Sequence, residues 1–372
     1  MILMVKEKLF YKYQSLKTEN DCKCKDRKDC TCEDRKKDCK CNDIIYAIEN
    51  LANNQLFFRR PDKFNDPYDS RTYWCLNGKR EKHINHLMHF YGFTQEKSEH
   101  IIDDEIDQGK MTINGDLICY DPAVEINLDF NEYSWKDLHG YSQKKSLPKV
   151  CCFSGKDDNI LMWSHYADSH QGICLRFRSK KDWDNELGEY YLEFDSRDNS
   201  LPLQLAVVYP FHNLFNKKKF LTVTYKKKDE ICPIVNYFDT DSDLKITKCL
   251  LNKFCDWHYE EEYRMIITRN DISNGLLSSD EFEKGLLKYR KEDLEGIVFG
   301  MRITYEDAKL VYNTVRKKYL NEGININFYE AKEVPRKYEI KIEGPIIDIE
   351  KYIDSRPKSI LLYNSKCTMS FI

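Results

Sequence analysis

The 372-residue chain reads as an α+β fold, a mixed and mainly antiparallel sheet with flanking helices. Three observations predict it. Short apolar runs recur along the chain, among them LFYKY at 9–13, KVCCF at 149–153, GICLRF at 172–177 and LEGIVFG at 294–300. Stretches with helical spacing stand between them, at 44–54, 158–168 and 304–320. No repeat with a fixed period occurs outside one cysteine segment, so the interleaving points to a sheet with helices packed on it.

Composition bounds the rest. Apolar residues make up 41% and charged residues 33%, and the 25 Tyr, 19 Phe and 5 Trp supply the bulk for a real core. A net charge of −3 gives no global attraction for nucleic acid, so any such contact must come from a local patch. The apolar runs fall far short of the roughly 20 residues that a membrane span needs. The start, MILMVKEKLFYKYQ, brings Lys6 and Lys8 too early for a signal sequence, and the expected location is cytoplasmic.

Taken in order, the first strand at 9–13 is followed by an insertion at 21–43 with three Asp-Cys-x-Cys copies. Helix 44–54, strand 55–58 and a turn-rich piece at 59–69 come next. A helical insertion is expected over about 80–140, clearest at 96–108. Strand 149–153, helix 158–168 and strand 172–177 form a sharp middle block, and a strand is expected at 203–210. Leu244, Ile246, Leu250, Leu251 and Phe254 sit at helical spacing, which predicts a helix over 241–254 running into a strand through 263–267. Strand 294–300, helix 304–320 and strands 324–331 and 337–342 close a single domain over 1–345, with 346–372 as an extension.

These blocks carry a resemblance. LFYKYQSL (9–16), LFFRRPDKFNDPYD (56–69), CFSGKDDNILMWSHYADSHQGICLRF (152–177), WHYEEEYRMI (257–266) and IVFG (297–300) resemble the successive blocks of the bacterial family numbered 2971 among domains of unknown function. Gln14 stands where that family usually has Arg, and the cysteine insertion is not a usual family feature. The order of blocks also resembles, remotely, the plan of ADP-ribosyltransferases, in particular toxins and phage-defence effectors that modify DNA. That resemblance implies NAD as the substrate, an acceptor that is nucleic acid or protein, and an antitoxin as a further partner.

The candidate catalytic pair is Glu260 and Glu262. On a strand over 259–267 these two share one face and Glu261 takes the other. In the remote resemblance the catalytic Glu precedes an aromatic and then an apolar strand, as Glu262 does. Glu262 would then hold the nicotinamide ribose and steady its developing positive charge, with Glu260 orienting or deprotonating the acceptor. The alternative is a charged strand edge with the glutamates paired to Arg264 or a lysine. Candidate contacts to NAD are Tyr13 and Ser15 on the first strand, Asn65 and Asp66 in the turn-rich loop, and Trp163, His165 and Tyr166 in the middle block. Each has a plain structural alternative: core aromatics, a turn that caps itself, a helix end.

His165 also supports a rival enzyme, a hydrolase with His165 as general base and Cys152 as a conceivable nucleophile. A third reading is a non-catalytic recognition module. Cys22, Cys24, Cys30, Cys32, Cys39 and Cys41 would hold zinc or another soft metal, or else form a solvated loop. The lysine-rich pieces at 145–149 and 215–230 are candidate contacts to nucleic acid or simply solvated surface.

Overall fold

The computed structural model describes residues 7–17, 19–21, 42–66, 68–70, 73–120, 148–181, 190–194, 217–230, 234–236, 238, 250–273 and 275–358. The chain is divided between two compact units, one drawing on 1–55, 153–181 and 288–372 and the other on 56–152 and 182–287.

The first unit is built on a mixed sheet. Its strands run, in spatial order, from the end of Lys149–Ser154 through Leu9–Gln14, Ile173–Arg178, Leu294–Phe299 and Asn327–Glu333 to Ile340–Glu343. Every pairing is antiparallel except that of Leu294–Phe299 with Asn327–Glu333. Helix Tyr305–Lys318 makes that parallel crossover. Thr304 caps it by accepting from the Asp307 amide at 3.1 Å, and its ends carry acidic residues first and basic residues last, as the helix dipole favours. Phe10, Phe153 and Phe177 are buried, and the Tyr289 hydroxyl meets that of Tyr319, which donates to the Leu51 carbonyl at 2.7 Å. Past residue 346, helix Ile349–Asp354 lays Tyr352 against Phe299 with ring centres 5.6 Å apart.

The middle block belongs to this unit. Helix Ile160–Tyr166 starts where Asn159 accepts from the Leu161 and Met162 amides. It ends in three consecutive left-handed residues, Asp168, Ser169 and His170, none of them glycine. Gly172 follows because nothing larger fits: a Cβ there would lie 2.2 Å from the Gln14 carbonyl oxygen. Gly172→Ala is expected to cost about 1–3 kcal/mol, read as a shifted urea midpoint, because backbone on both sides must move.

The second unit holds strand Glu262–Ile267, paired antiparallel with Leu221–Thr222 and flanked on its other side by the first part of Lys149–Ser154. Thr224–Lys226 runs parallel to Asn252–Phe254. The insertion after residue 80 is helical only in part. Helices Arg80–Tyr91 and Gln95–Asp107 are followed by the hairpin Met111–Asn114 and Leu117–Tyr120, and 121–147 lie outside the described residues. The strand expected at 203–210 and the six insertion cysteines also lie outside them. The insertion is bracketed by Glu19–Asp21 paired antiparallel with Asn42–Ile44.

Two expectations are corrected. The helix over 241–254 does not reach its end: Leu250 and Leu251 are in a turn, and Asn252–Phe254 is a strand. Pairing with Thr224–Lys226 and burial of Leu250 against Val150 and Ile266 override the helical spacing. Lys149 is no surface contact for nucleic acid. It is buried and donates to the Phe282 and Glu283 carbonyls at the end of helix Ser279–Lys284.

Candidate active site: a buried ionic cluster

The strand expected at 259–267 begins late, which is a further correction. Cys255–Glu260 is a 3₁₀ turn, Glu261 is left-handed with φ 43°, and the strand starts at Glu262. Period-two alternation therefore does not align Glu260 with Glu262. Their carboxylates meet nonetheless, because Lys253 on the preceding strand reaches both, at 2.5 Å and 3.1 Å.

Arg264, on the same face as Glu262 two residues on, completes the cluster. Its Nε donates to Glu262 Oε1 at 2.7 Å and its NH2 to Glu262 Oε2 at 2.9 Å. NH2 also donates to Asp69 Oδ2 at 2.7 Å, while NH1 donates to Ser70 Oγ at 2.8 Å and the Leu250 carbonyl at 2.6 Å. The Glu262 amide donates to the Tyr225 hydroxyl oxygen at 2.8 Å. Phe64 lies over the guanidinium and Trp257 over the Lys253 ammonium, ring centres 5.4 Å and 5.0 Å away.

All five charged side chains are at most 5% exposed. Burial opposes charge on Glu262, Arg264 and Lys253, and the partners outweigh it. The Glu262 carboxyl is held down at about 2 by Arg264 and Lys253. Arg264 and Lys253 are raised above their ordinary values by the carboxylates around them. Burial and the Glu262 carboxylate push the adjoining Cys152 thiol well above an ordinary thiol, so Cys152 does not supply the thiolate of the hydrolase reading. Chemically, the cluster offers in Glu262 an anion held in its charged form.

The other expected contacts are placed as follows. Asn65 is exposed, and Asp66 caps its own turn by accepting from the Tyr68 amide at 2.8 Å, while Asp69 turns inward to Arg264. In the first unit, Trp163 is fully buried and meets Tyr13 edge-on at 5.1 Å. Its indole N–H goes to the Asp157 carbonyl and the Tyr13 hydroxyl to the Lys156 carbonyl, so Trp163 offers no free face for stacking. Tyr166 is half-buried, and His165 and Ser15 are exposed. Asp168 pairs with Lys17. Lys218 pairs with Asp271 at 2.5 Å and Lys226 with Glu230 at 3.6 Å, which accounts for part of the lysine-rich piece. Among the described residues, no group of three or more His, Cys, Asp or Glu is arranged to hold a metal ion. No described helix is long and apolar enough to cross a membrane.

Residues 162–265 match the model of a family described as "Protein of unknown function (DUF2971)". Over this segment the chain is similar to that family. The match runs from the middle block to Met265, taking in Trp163, His165, Tyr166, Lys253, Glu260, Glu262 and Arg264, and it leaves Asp69 and Ser70 outside. No curated protein and no solved structure matches the chain.

Asp69, Ser70, Lys253 and Arg264 are the members of the cluster that were not among the expected site residues, Arg264 being expected only as an ion-pair partner. Asp69 carried a signal, being one of two acidic residues in the turn-rich loop. Ser70 and Lys253 carried none beyond residue type.

Proposed function

We propose that the chain transfers ADP-ribose from NAD to a nucleic-acid or protein acceptor, or hydrolyses NAD, as a toxin or phage-defence effector. The observation that supports this reading is the convergence of Glu260 and Glu262 on Lys253, with Glu262 held ionised. Cleavage breaks the bond between ribose C1′ and the nicotinamide nitrogen. The bonding pair leaves with nicotinamide, and positive charge develops at C1′. A fixed anion stabilises that charge without having to change protonation. The acceptor, or water, then bonds to C1′ and loses its proton to solvent or to a carboxylate. Both glutamates are under cover in the structure, so turnover on this reading requires the 3₁₀ turn Cys255–Glu260 to lift.

A second reading, a non-catalytic recognition module, is favoured by one observation: both oxygens of Glu262 are already taken by Arg264 and Lys253. The two readings separate in one experiment. Wild type, Glu262→Gln and Glu260→Gln are incubated with NAD and with DNA, RNA and protein acceptors, and nicotinamide is followed by mass spectrometry, with circular dichroism to monitor folding. The expected result is release by wild type that falls about 100-fold or more in folded Glu262→Gln. Wild type that releases nothing with any acceptor supports the recognition reading instead.

A further inference from the structure

The first unit carries a second cluster, around Arg176, that the reading above does not use. Arg176 lies on strand Ile173–Arg178, directly across from Tyr11. Its guanidinium carbon stands 4.0 Å from the centre of the Tyr329 ring and 5.9 Å from that of Tyr11. Glu295 Oε2 lies 3.0 Å from its Nε. Glu295 is itself fixed, with Oε1 accepting from the Tyr329 hydroxyl at 2.7 Å and from Asn327 Nδ2 at 3.1 Å. The strand register shifts between Leu294 and Gly296, and the irregularity turns Glu295 onto Arg176.

One face of the guanidinium is therefore stacked, and its Nε side is ion-paired with Glu295 without a hydrogen bond. The other edge, NH1 and NH2, makes no hydrogen bond to a described residue; its charged neighbour there is Asp157 Oδ2 at 3.8 Å, beyond hydrogen-bond reach. The side chain is 14% exposed, so it is not sealed from solvent. A guanidinium stacked on a ring, ion-paired on its Nε side and with no hydrogen bond from NH1 or NH2 to a described residue, matches the two oxygens of a phosphate group. We propose that Arg176 anchors an oxyanion-binding site in the first unit that takes the phosphate group of a ligand.

Asp157 sets the terms of binding. Burial is the first of the influences that raise its carboxyl, opposed by Arg176 and by its own backbone amide and reinforced by Asp158 and Glu295. Tyr11, Tyr13 and Cys174 also face it. Ionised, Asp157 competes with the incoming anion for Arg176. Protonated, it stops competing and offers a donor. Binding therefore takes up a proton, and affinity rises as pH falls toward the raised Asp157 value. The proposal stands whether or not Glu262 acts on NAD.

The test is calorimetric titration of the full chain with inorganic phosphate and with sulfate, whose charge is constant over the window, at about pH 7.5 and about pH 5.5. Wild type is expected to bind sulfate more tightly at the lower pH. Asp157→Asn, isosteric and unable to ionise, is expected to bind sulfate about 5–10-fold more tightly at the higher pH, with the pH dependence gone. Arg176→Gln should lower affinity at least about tenfold, and Glu262→Gln should leave it unchanged. Absence of binding by both wild type and Asp157→Asn overturns the proposal, as does folded Arg176→Gln binding like wild type. Should Arg176→Gln not fold, the Asp157→Asn comparison decides alone.

Discussion

Arg264→Met is expected to destabilise the second unit by about 3–5 kcal/mol, with a drop of roughly 10 °C in Tm. Arg264 is fully buried and donates five hydrogen bonds, two of them to Glu262 and one to Asp69. Without it those carboxylates stay buried with Lys253 as the nearby cation, and the Leu250 carbonyl loses a partner. A buried pair contributes little against an apolar replacement of the same shape, yet costs a great deal when halved. Glu262→Met should accordingly be much less damaging in the Arg264→Met background than in wild type. A double-mutant cycle in urea checks this, and additive losses would sink the account of the cluster as one coupled unit.

The second large effect is a pH dependence that a single substitution removes. Burial works against the charge of Glu262, but Arg264 and Lys253 outweigh it and hold the carboxyl at about 2, below its usual 4.5. A carboxyl depressed in the folded state stabilises the fold above its unfolded value, and that contribution is lost as pH falls toward the folded value. The gap of about 2.5 units corresponds to about 3 kcal/mol. Wild type should therefore exceed Glu262→Gln in unfolding free energy near neutrality, with the difference shrinking progressively below about pH 4.5. Carboxylates outside the cluster titrate in the same range, but they are common to both proteins and cancel in the difference. A gap that stays constant down to about pH 2 would show that Glu262 is not held by these partners. The same depressed value confines Glu262 to the role of a fixed anion in any chemistry at neutral pH.

Much of this was legible in the residues. Leu9–Gln14, Lys149–Ser154, Ile173–Arg178 and Leu294–Phe299 announce themselves by β-rich apolar runs, and Tyr305–Lys318 by helical spacing with a capping Thr304. Spacing misled at 250–254, because the same leucines serve a turn and a strand once Thr224–Lys226 offers a ladder. The pairing of Glu260 with Glu262 was foreseen on the wrong ground: a left-handed Glu261 and a shared lysine bring them together. Asp69 and Arg264 stand 195 positions apart, and no local pattern encodes that contact. Glu295 escaped for a related reason, since its direction depends on a register shift between two strands.

The interleaving of the two units bears on how the chain is made. Leu9–Gln14 precedes the other strands of its sheet in the chain, yet its partner Ile173–Arg178 follows only after the whole of the second unit's first segment, and Leu294–Phe299 later still. At ordinary elongation rates of about 5–20 residues per second, the first strand waits roughly 15–60 s for the sheet of its unit to be completed. The second unit closes its last segment at 287, before the first unit can finish. Until Ile173–Arg178 emerges the nascent chain presents an unpaired, aromatic-rich strand, the kind of edge that holdase chaperones occupy. Synthesis arrested between 181 and 288 should yield a first unit that cannot assemble its sheet, however long the stalled chain is left to equilibrate.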